Sequence, residues 1–283
     1  MVTRPGPTVW KSLGLAVTFS ETLKGHSPNV EPAFLEIPRE NLKDGFDGYG
    51  VAVIIPALEE GNTVLDVISQ VKSAAPAANI VVVDGGSLDG TSEKAERAEA
   101  TVIVERRRGY GRAIRTGIES VDADFYAMVD ADDTYDLTSL PRMVQLAQTG
   151  RVVIGSRVGS SGEAMSLSHK MGNRVLSLVY KGLFHRSIAD TQSGFKVFPA
   201  RIGQLLHENG MTLSSEILVI ANAMQIEPLE VPIRYQPRHS QSQSKFSFWR
   251  DGLTVLGFLL KSRWRIRTER RRHLSKRDER SEC

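Results

Sequence analysis

The stretch Met128-Val-Asp-Ala-Asp-Asp-Thr-Tyr-Asp136 places four carboxylates within nine positions, directly behind the apolar run Phe125–Val129. Carboxylates this close repel one another unless a positive group lies among them. Asp130 and Asp132, just past a strand end, can face one point in space. Mg²⁺ and Mn²⁺ take oxygen ligands, so the pair suits a divalent cation beside phosphates. A solvated acidic turn would use the same residues, and the motif alone leaves both readings open. Two further polar clusters follow apolar runs. Pro56–Glu60 comes after Val51–Ile55, and Asp84-Gly-Gly86 comes after Ile80–Val83. Asp84 can accept hydrogen bonds from a base or ribose, with Gly85 and Gly86 permitting close approach. Gly109-Tyr-Gly111-Arg112 at a helix start resembles a fragment of a phosphate-binding glycine loop, though it is neither a full Gly-x-Gly-x-x-Gly nor a P-loop.

The elements that must position these clusters follow from periodicity. Val51–Ile55, stopped by Pro56, Ile80–Val83, Thr101–Val104 and Phe125–Val129 read as buried strands. Between them run helical stretches. Val64, Val67, Ile68 and Val71 share one face, Ser or Thr within 84–91 caps the next helix, and a third runs from Gly111 through Ile118. Strands alternating with helices predict an α/β fold with a mostly parallel central sheet flanked by helices. Ligands gather at the carboxyl ends of such strands, where all three polar clusters fall. The second half is less regular: a strand at Val152–Ile154, a helix from Met165 to about Leu183, a polar turn at Asp190–Phe195 entering a strand, an apolar helix Glu216–Met224, a strand Glu230–Tyr235 and a polar loop Arg238–Lys245. Residues 1–48 read as an extension, 49–245 as the catalytic domain, and 246–283 as an amphipathic helix with a basic tail.

Charge is unevenly spread. Residues 261–283 hold ten Lys/Arg against four Asp/Glu, a net +6, so the total of +3 leaves the remainder at −3. The only cysteine is Cys283, which excludes an intrachain disulfide and points to a reducing compartment. No run of about 18 apolar residues is present, so no transmembrane helix is expected. Phe248, Trp249, Leu253, Leu256 and Leu259-Leu260, followed by the polybasic stretch with Trp264, meet the needs of an interfacial helix on an anionic membrane surface. A core helix with a disordered tail is the competing reading. Nucleic acid is not expected as a partner, because no binding module accompanies the tail.

Val129-Asp-Ala-Asp-Asp-Thr134 also fits the Asp-x-Asp-x-Thr signature of haloacid-dehalogenase-type phosphatases, in which the first Asp is a covalent nucleophile. That signature follows a first strand and needs a downstream acidic pair. Here it follows the fourth strand, and no such pair is evident. The ordered series resembles instead the family 2 glycosyltransferases, in their dolichol-phosphate mannose synthase-like, polyprenyl-phosphate branch. The matching pieces are Ile54–Glu60, Val82–Thr91, Gly109–Ile114, Met128–Tyr135, Val153–Arg157, His169–Asn173, Asp190–Phe195, Ser215–Leu218, Glu230–Ile233, Arg238 and Ser244-Lys245.

The resemblance implies a nucleotide-diphospho-sugar transferase (GT-A-like) fold and an inverting hexosyltransferase. It implies transfer of a sugar from a nucleotide donor to a polyprenyl or dolichyl phosphate, with Mg²⁺ or Mn²⁺ as cofactor. Pro56, Ala57, Glu60, Asp84, Gly85, Gly111 and Ala131 would hold the donor, and Asp130 and Asp132 the diphosphate and metal. Arg157 and Arg238, with His169, Lys170 and Arg174, would meet the acceptor phosphate. Asp190, Gln192 and Glu216 would lie around the sugar. Asp84-Gly-Gly-Ser87 with Asp133-Thr-Tyr135 looks more like members using UDP-sugars than GDP-mannose. The implied setting is the cytoplasmic face of a membrane, peripherally bound. A soluble enzyme acting on a small phosphorylated acceptor such as phosphoglycerate, and a non-catalytic nucleotide-sugar-binding scaffold, are the alternatives.

Overall fold

The computed structural model describes residues 48–158, 167–237 and 248–281. Asp44–Lys261 forms one compact unit. Its centre is a seven-stranded sheet: β1 (Val51–Ala57), β2 (Asn79–Asp84), β3 (Thr101–Val104), β4 (Phe125–Met128), β5 (Val153–Ser156), β6 (Lys196–Pro199) and β7 (Leu229–Pro232). The spatial order is β3-β2-β1-β4-β6-β5-β7. Six strands run in one direction; β6 is antiparallel to both of its neighbours. The sheet is therefore mostly parallel, as its alternation of strands and helices requires.

Burial on both faces explains the unbroken apolar strands. In β1, Val51, Val53, Ile55 and Ala57 belong to a core with Val64, Val67, Ile68 and Val71 of α1 (Val64–Ala74). Ile54 turns the other way, toward α3 (Tyr110–Glu119). β1 continues through Pro56, which lies opposite Val83 of β2, where an end at Pro56 is expected from sequence. β4 stops opposite Ile54, so the proline's missing N–H costs no ladder bond on that side.

The helices differ in detail from the sequence reading. α2 (Thr91–Arg97) is preceded by Gly90 at φ 83°, and no Ser or Thr side chain caps it. Instead Asp89 accepts from the Thr91 N–H at 3.1 Å. Leu140–Gln148 forms α4, whose Leu140, Met143, Val144 and Ala147 pack into the core. α5 spans Leu167–Phe184, α6 is the single turn Ala200–Gly203, and α7 runs Leu213–Ala223, starting three residues before Glu216. β7 ends at Pro232, and Tyr235 makes an isolated bridge to Tyr135. Asp136 accepts from the Thr138 N–H, capping the 3₁₀ turn Leu137–Ser139. Phe248–Ser281 is one helix, α8. Residues Ser262–Cys283 fall in a second unit. Among the described residues no helix is long and apolar enough to cross a membrane.

One glycine sets the seat of α3 and with it the start of the helix at Tyr110. A Cβ on Gly117 would lie 2.5 Å from Ile54 Cγ2 and 3.1 Å from Val83 Cγ2. Gly117→Ala is expected to cost about 1–3 kcal/mol by overpacking, read as a lowered midpoint in urea unfolding at unchanged slope.

Candidate functional site

Six strands pointing one way bring their carboxyl ends to one edge, and a cavity of about 1680 Å³ opens there, lined only by residues of the first compact unit. Pro56, Ala57 and Glu60 after β1, Asp84 and Gly85 at the end of β2, and Asp130, Ala131 and Asp132 after β4 all line it. Arg157, His169 and Gln192 line it from the second half of the chain. The structure thus joins residues whose sequence separation exceeds one hundred positions.

The acidic groups are fixed before any ligand arrives. Asp84 is buried, accepting from Ser87 Oγ at 2.5 Å and Ser92 Oγ at 2.6 Å. Asp130 accepts from the Tyr110 hydroxyl at 2.9 Å. Burial, with Asp130 alongside, holds that phenol far above its ordinary pKa, so it stays a donor. A Cβ on Gly194 would collide with the Asp130 carboxyl group, so only glycine leaves Asp130 its place. Asp132 is buried and accepts from the hydroxyl of Thr134 at 2.6 Å and its N–H at 3.2 Å. The structure gives Thr134 the task of orienting Asp132.

The opposite wall hangs on an ion pair. Asp190 is fully buried and takes Arg157 Nε at 2.7 Å, Nη2 at 2.8 Å and the Arg157 N–H at 2.9 Å. Burial alone would raise this carboxyl; the charge and hydrogen bonds of Arg157 override it and hold it below 3.8. Glu230 accepts from the N–H groups of Ala189 and Asp190 at 2.8 and 2.9 Å. The guanidinium lies 5.5 Å from the centre of the Tyr235 ring. Gln192 Nε2 donates to Ser215 Oγ at 2.8 Å.

Several expected site residues lie elsewhere. Asp190 does not line the cavity: it is spent on Arg157. Glu216 does not line it either. Its carboxylate accepts from the N–H groups of His207 and Glu208, at 3.1 and 2.9 Å, and burial raises its pKa. Gly111 packs instead of binding: a Cβ there would meet the carbonyls of Glu208 and Gly210 at 2.6 and 2.8 Å. Lys170 and Arg174 are exposed on α5, outside the lining that His169 joins. Arg238 and the loop to Lys245 lie outside the described residues.

Other lining residues escaped the sequence reading. Arg106, Arg107 and Arg108 form part of the wall, and their run beside a strand end was visible. Lys196 sits behind the wall, fully buried in β6, donating to the carbonyls of Thr191 and Ser193 and to Ser214 Oγ. Burial pushes its ammonium down to about 7. A lysine inside Phe195-Lys-Val-Phe198 was the available signal. The lining also has apolar members from the helices, Met171, Val175 and Leu176 of α5 and Leu253 and Leu256 of α8. Among the described residues no group of three or more His, Cys, Asp or Glu side chains converges to hold a metal ion.

The Asp190 carboxylate, ionised more easily folded than unfolded, adds stability above about pH 4 that is lost as pH falls through its folded value. Asp190→Ala, which strands a buried guanidinium, is expected to cost about 3–5 kcal/mol. It should also flatten the acid limb of stability, measured by denaturant unfolding from neutral to acidic pH. An unchanged acid limb would place the proton uptake elsewhere.

Comparisons with known proteins agree with this arrangement. The family model "Glycosyl transferase family 2" matches residues 52–202. Glycosyltransferase AglJ of Haloferax volcanii is 32% identical over 207 residues, covering 71% of this chain and 68% of that protein. A dolichyl-phosphate hexose transferase of the same organism is 28% identical over 198 residues, covering 68% of this chain and 86% of that protein. Among solved structures, glucosyl-3-phosphoglycerate synthase from Mycobacterium tuberculosis, in complex with Mn²⁺, UDP-glucose and phosphoglyceric acid, matches with a TM-score of 0.62. It is 18% identical, over 84% of this chain and 85% of that one. With its cavity at the carboxyl edge of a GT-A sheet, the chain is a glycosyltransferase and belongs to glycosyl transferase family 2.

Proposed function

We propose that the chain transfers a hexose from a nucleotide-diphospho-sugar, a UDP-sugar in preference to GDP-mannose, to a polyprenyl or dolichyl phosphate at a membrane surface. The observation that carries this reading is the lining of one cavity by the carboxylates of Asp84, Asp130 and Asp132 together with exposed apolar side chains of α5 and α8. A lipid phosphate needs both kinds of surface in one cavity. Leu167, Met171, Val175 and Leu178 form an exposed stripe along α5, with Lys170, Arg174 and Lys181 on the same helix. Such a face suits anionic lipid, as does the basic end of α8. The relative named for dolichyl-phosphate hexose transfer supports the same acceptor class. The assignment of 49–245 as the catalytic domain and of the cytoplasmic membrane face as its working place belongs to this proposal.

The donor set fits a divalent ion. Asp130 and Asp132 offer hard oxygen ligands on the cavity floor, with no third acidic or imidazole ligand converging among the described residues. The remaining positions would go to diphosphate oxygens and water, the usual habit of Mg²⁺ and open to Mn²⁺. The Mycobacterium synthase complexed with Mn²⁺ and UDP supports this choice. Bound there, the ion supplies Lewis-acid stabilisation of the departing nucleoside diphosphate. The protein's own residues align the reactants. Tyr110 and Thr134 hold the two aspartates, and Asp84 faces the nucleoside. Arg157, immobilised by Asp190, presents a guanidinium of fixed orientation to the acceptor phosphate. That phosphate is already anionic at neutral pH, so attack on the anomeric carbon, with inversion, needs no strong general base. Orientation and electrostatic stabilisation carry the catalysis.

A second reading, transfer to a small phosphorylated acceptor, draws on the fold shared with glucosyl-3-phosphoglycerate synthase. Incubation of UDP-glucose, UDP-N-acetylglucosamine or GDP-mannose with polyprenyl phosphate and Mn²⁺, followed by solvent extraction, separates the two. Labelled sugar is expected in the lipid phase with a UDP-sugar; label confined to a water-soluble product would sink the lipid acceptor. In the same assay Asp132→Asn should lose about 100-fold or more in rate, on the scale of removing one major electrostatic contributor.

The apolar lining makes a separate prediction. Met171→Asp combined with Val175→Asp, both on exposed positions, is expected to reduce lipid product about tenfold or more. Slow hydrolysis of the UDP-sugar by water should persist. Equal loss of both activities would assign these residues to the fold instead of the acceptor.

A further inference from the structure

We propose that Arg106 and Arg108 form an anion clamp for the diphosphate of the sugar donor, a role that rests on reading the cavity as a nucleotide-sugar site. The segment carrying them is fixed at both ends. The Glu105 N–H donates to the Asp84 carbonyl at 2.8 Å, pinning its start to the end of β2. At its other end Gly109, at φ 137°, packs against the Asn209 carbonyl, and the Arg112 N–H donates to the same oxygen at 3.0 Å.

The three arginines between these anchors are not equivalent. Glu105 takes Arg107 Nη2 at 2.6 Å, Nε at 2.9 Å and its N–H at 2.9 Å, and also holds Arg112 and Thr116. Arg107 is thereby charge-compensated. Arg106 and Arg108 flank it, line the same cavity and are exposed, and neither makes a salt bridge among the described residues.

Their location identifies the anion. The stem of Arg106 passes beside Gly86, its Cγ 4.0 Å from where a Cβ would stand, two residues beyond Asp84. Four residues on, the Tyr110 hydroxyl reaches Asp130 at 2.9 Å. The segment therefore spans the cavity wall from the nucleoside end to the aspartate pair. A donor held at both ends must lay its diphosphate along that span, past a wall that also carries Glu60, Asp84, Asp130 and Asp132. Two guanidiniums without a salt bridge among the described residues are the groups that offset the resulting repulsion, and their forked donors match phosphate oxygens.

The test is calorimetric titration of the full chain with UDP, GDP and uridine in the presence of Mn²⁺. Wild type is compared with Arg106→Ala/Arg108→Ala and with Arg106→Lys/Arg108→Lys. Thermal melting of each variant confirms that these exposed substitutions leave the fold intact. The alanine pair is expected to weaken UDP binding about tenfold or more, with uridine affinity unchanged and the lysine pair restoring part of the loss. Unaltered UDP affinity in the alanine pair, or an equal loss for uridine, overturns the clamp. Failure of wild type to bind either nucleoside diphosphate would instead overturn the donor-site reading on which the clamp rests.

Discussion

The buried pair between Arg157 and Asp190 is the joint on which the second wall of the cavity depends. Arg157 follows β5 directly, and Asp190 opens the turn that enters β6, so the pair ties two antiparallel strand ends across one edge. Glu230, in β7, reaches under the same turn through the N–H groups of Ala189 and Asp190. Lys196 closes it from below by gathering the Thr191 and Ser193 carbonyls with the Ser214 hydroxyl. Burying two charges costs several kcal/mol per ion before their attraction is counted. That cost is offset here by three hydrogen bonds to one carboxylate. The consequence is positional: Gly194, held at the end of this turn, leaves free the space that the Asp130 carboxyl group occupies.

The first half of the sheet was legible because one physical rule governs it. Strands buried on both faces must be apolar throughout, and Val51–Ile55, Ile80–Val83 and Phe125–Val129 are. Parallel direction then forces Glu60, Asp84 and Asp130 to one edge, which is why three weak clusters could be read as one site. The second half obeys no such rule. β6 runs backwards, and its sequence carries a lysine where alternation gives no warning. Asp190 and Glu216 look like site residues because isolated acids among apolar neighbours usually are either ligands or buried partners. Sequence cannot say which, and in the structure Asp190 is bound by Arg157 and Glu216 by the N–H groups of His207 and Glu208. The apolar lining from Met171 and Val175 was hidden for the opposite reason. A hydrophobic residue at helical spacing reads as core, and only the fold shows it exposed.

Charge compensation orders the cavity into groups already satisfied and groups still open to a ligand. Asp84 is held by two serine hydroxyls, Asp132 by Thr134, and Arg107 by Glu105. These contacts fix geometry without cancelling the acidity of the floor, because hydroxyl donors orient a carboxylate but carry no charge. A polyanionic donor entering such a floor is admitted only with cations. The ion proposed between Asp130 and Asp132 and the arginines on the β3 side answer the same electrostatic demand from two directions.

The four crowded carboxylates of residues 130–136 have separate tasks. Asp136 caps a 3₁₀ turn, and Asp133, at φ 56°, accepts from Gln70 Nε2 at 2.5 Å, so both serve the chain's path. Asp130 and Asp132 remain on the cavity floor. Their neighbours set them apart in role: a phenol donates to one and a threonine hydroxyl to the other. The same cavity is also lined by the exposed apolar side chains of Met171, Val175 and Leu253, and the proposed lipid phosphate would use both kinds of surface. Exposed apolar surface of this kind marks an interaction site, and the proposed lipid acceptor is an occupant that would cover it.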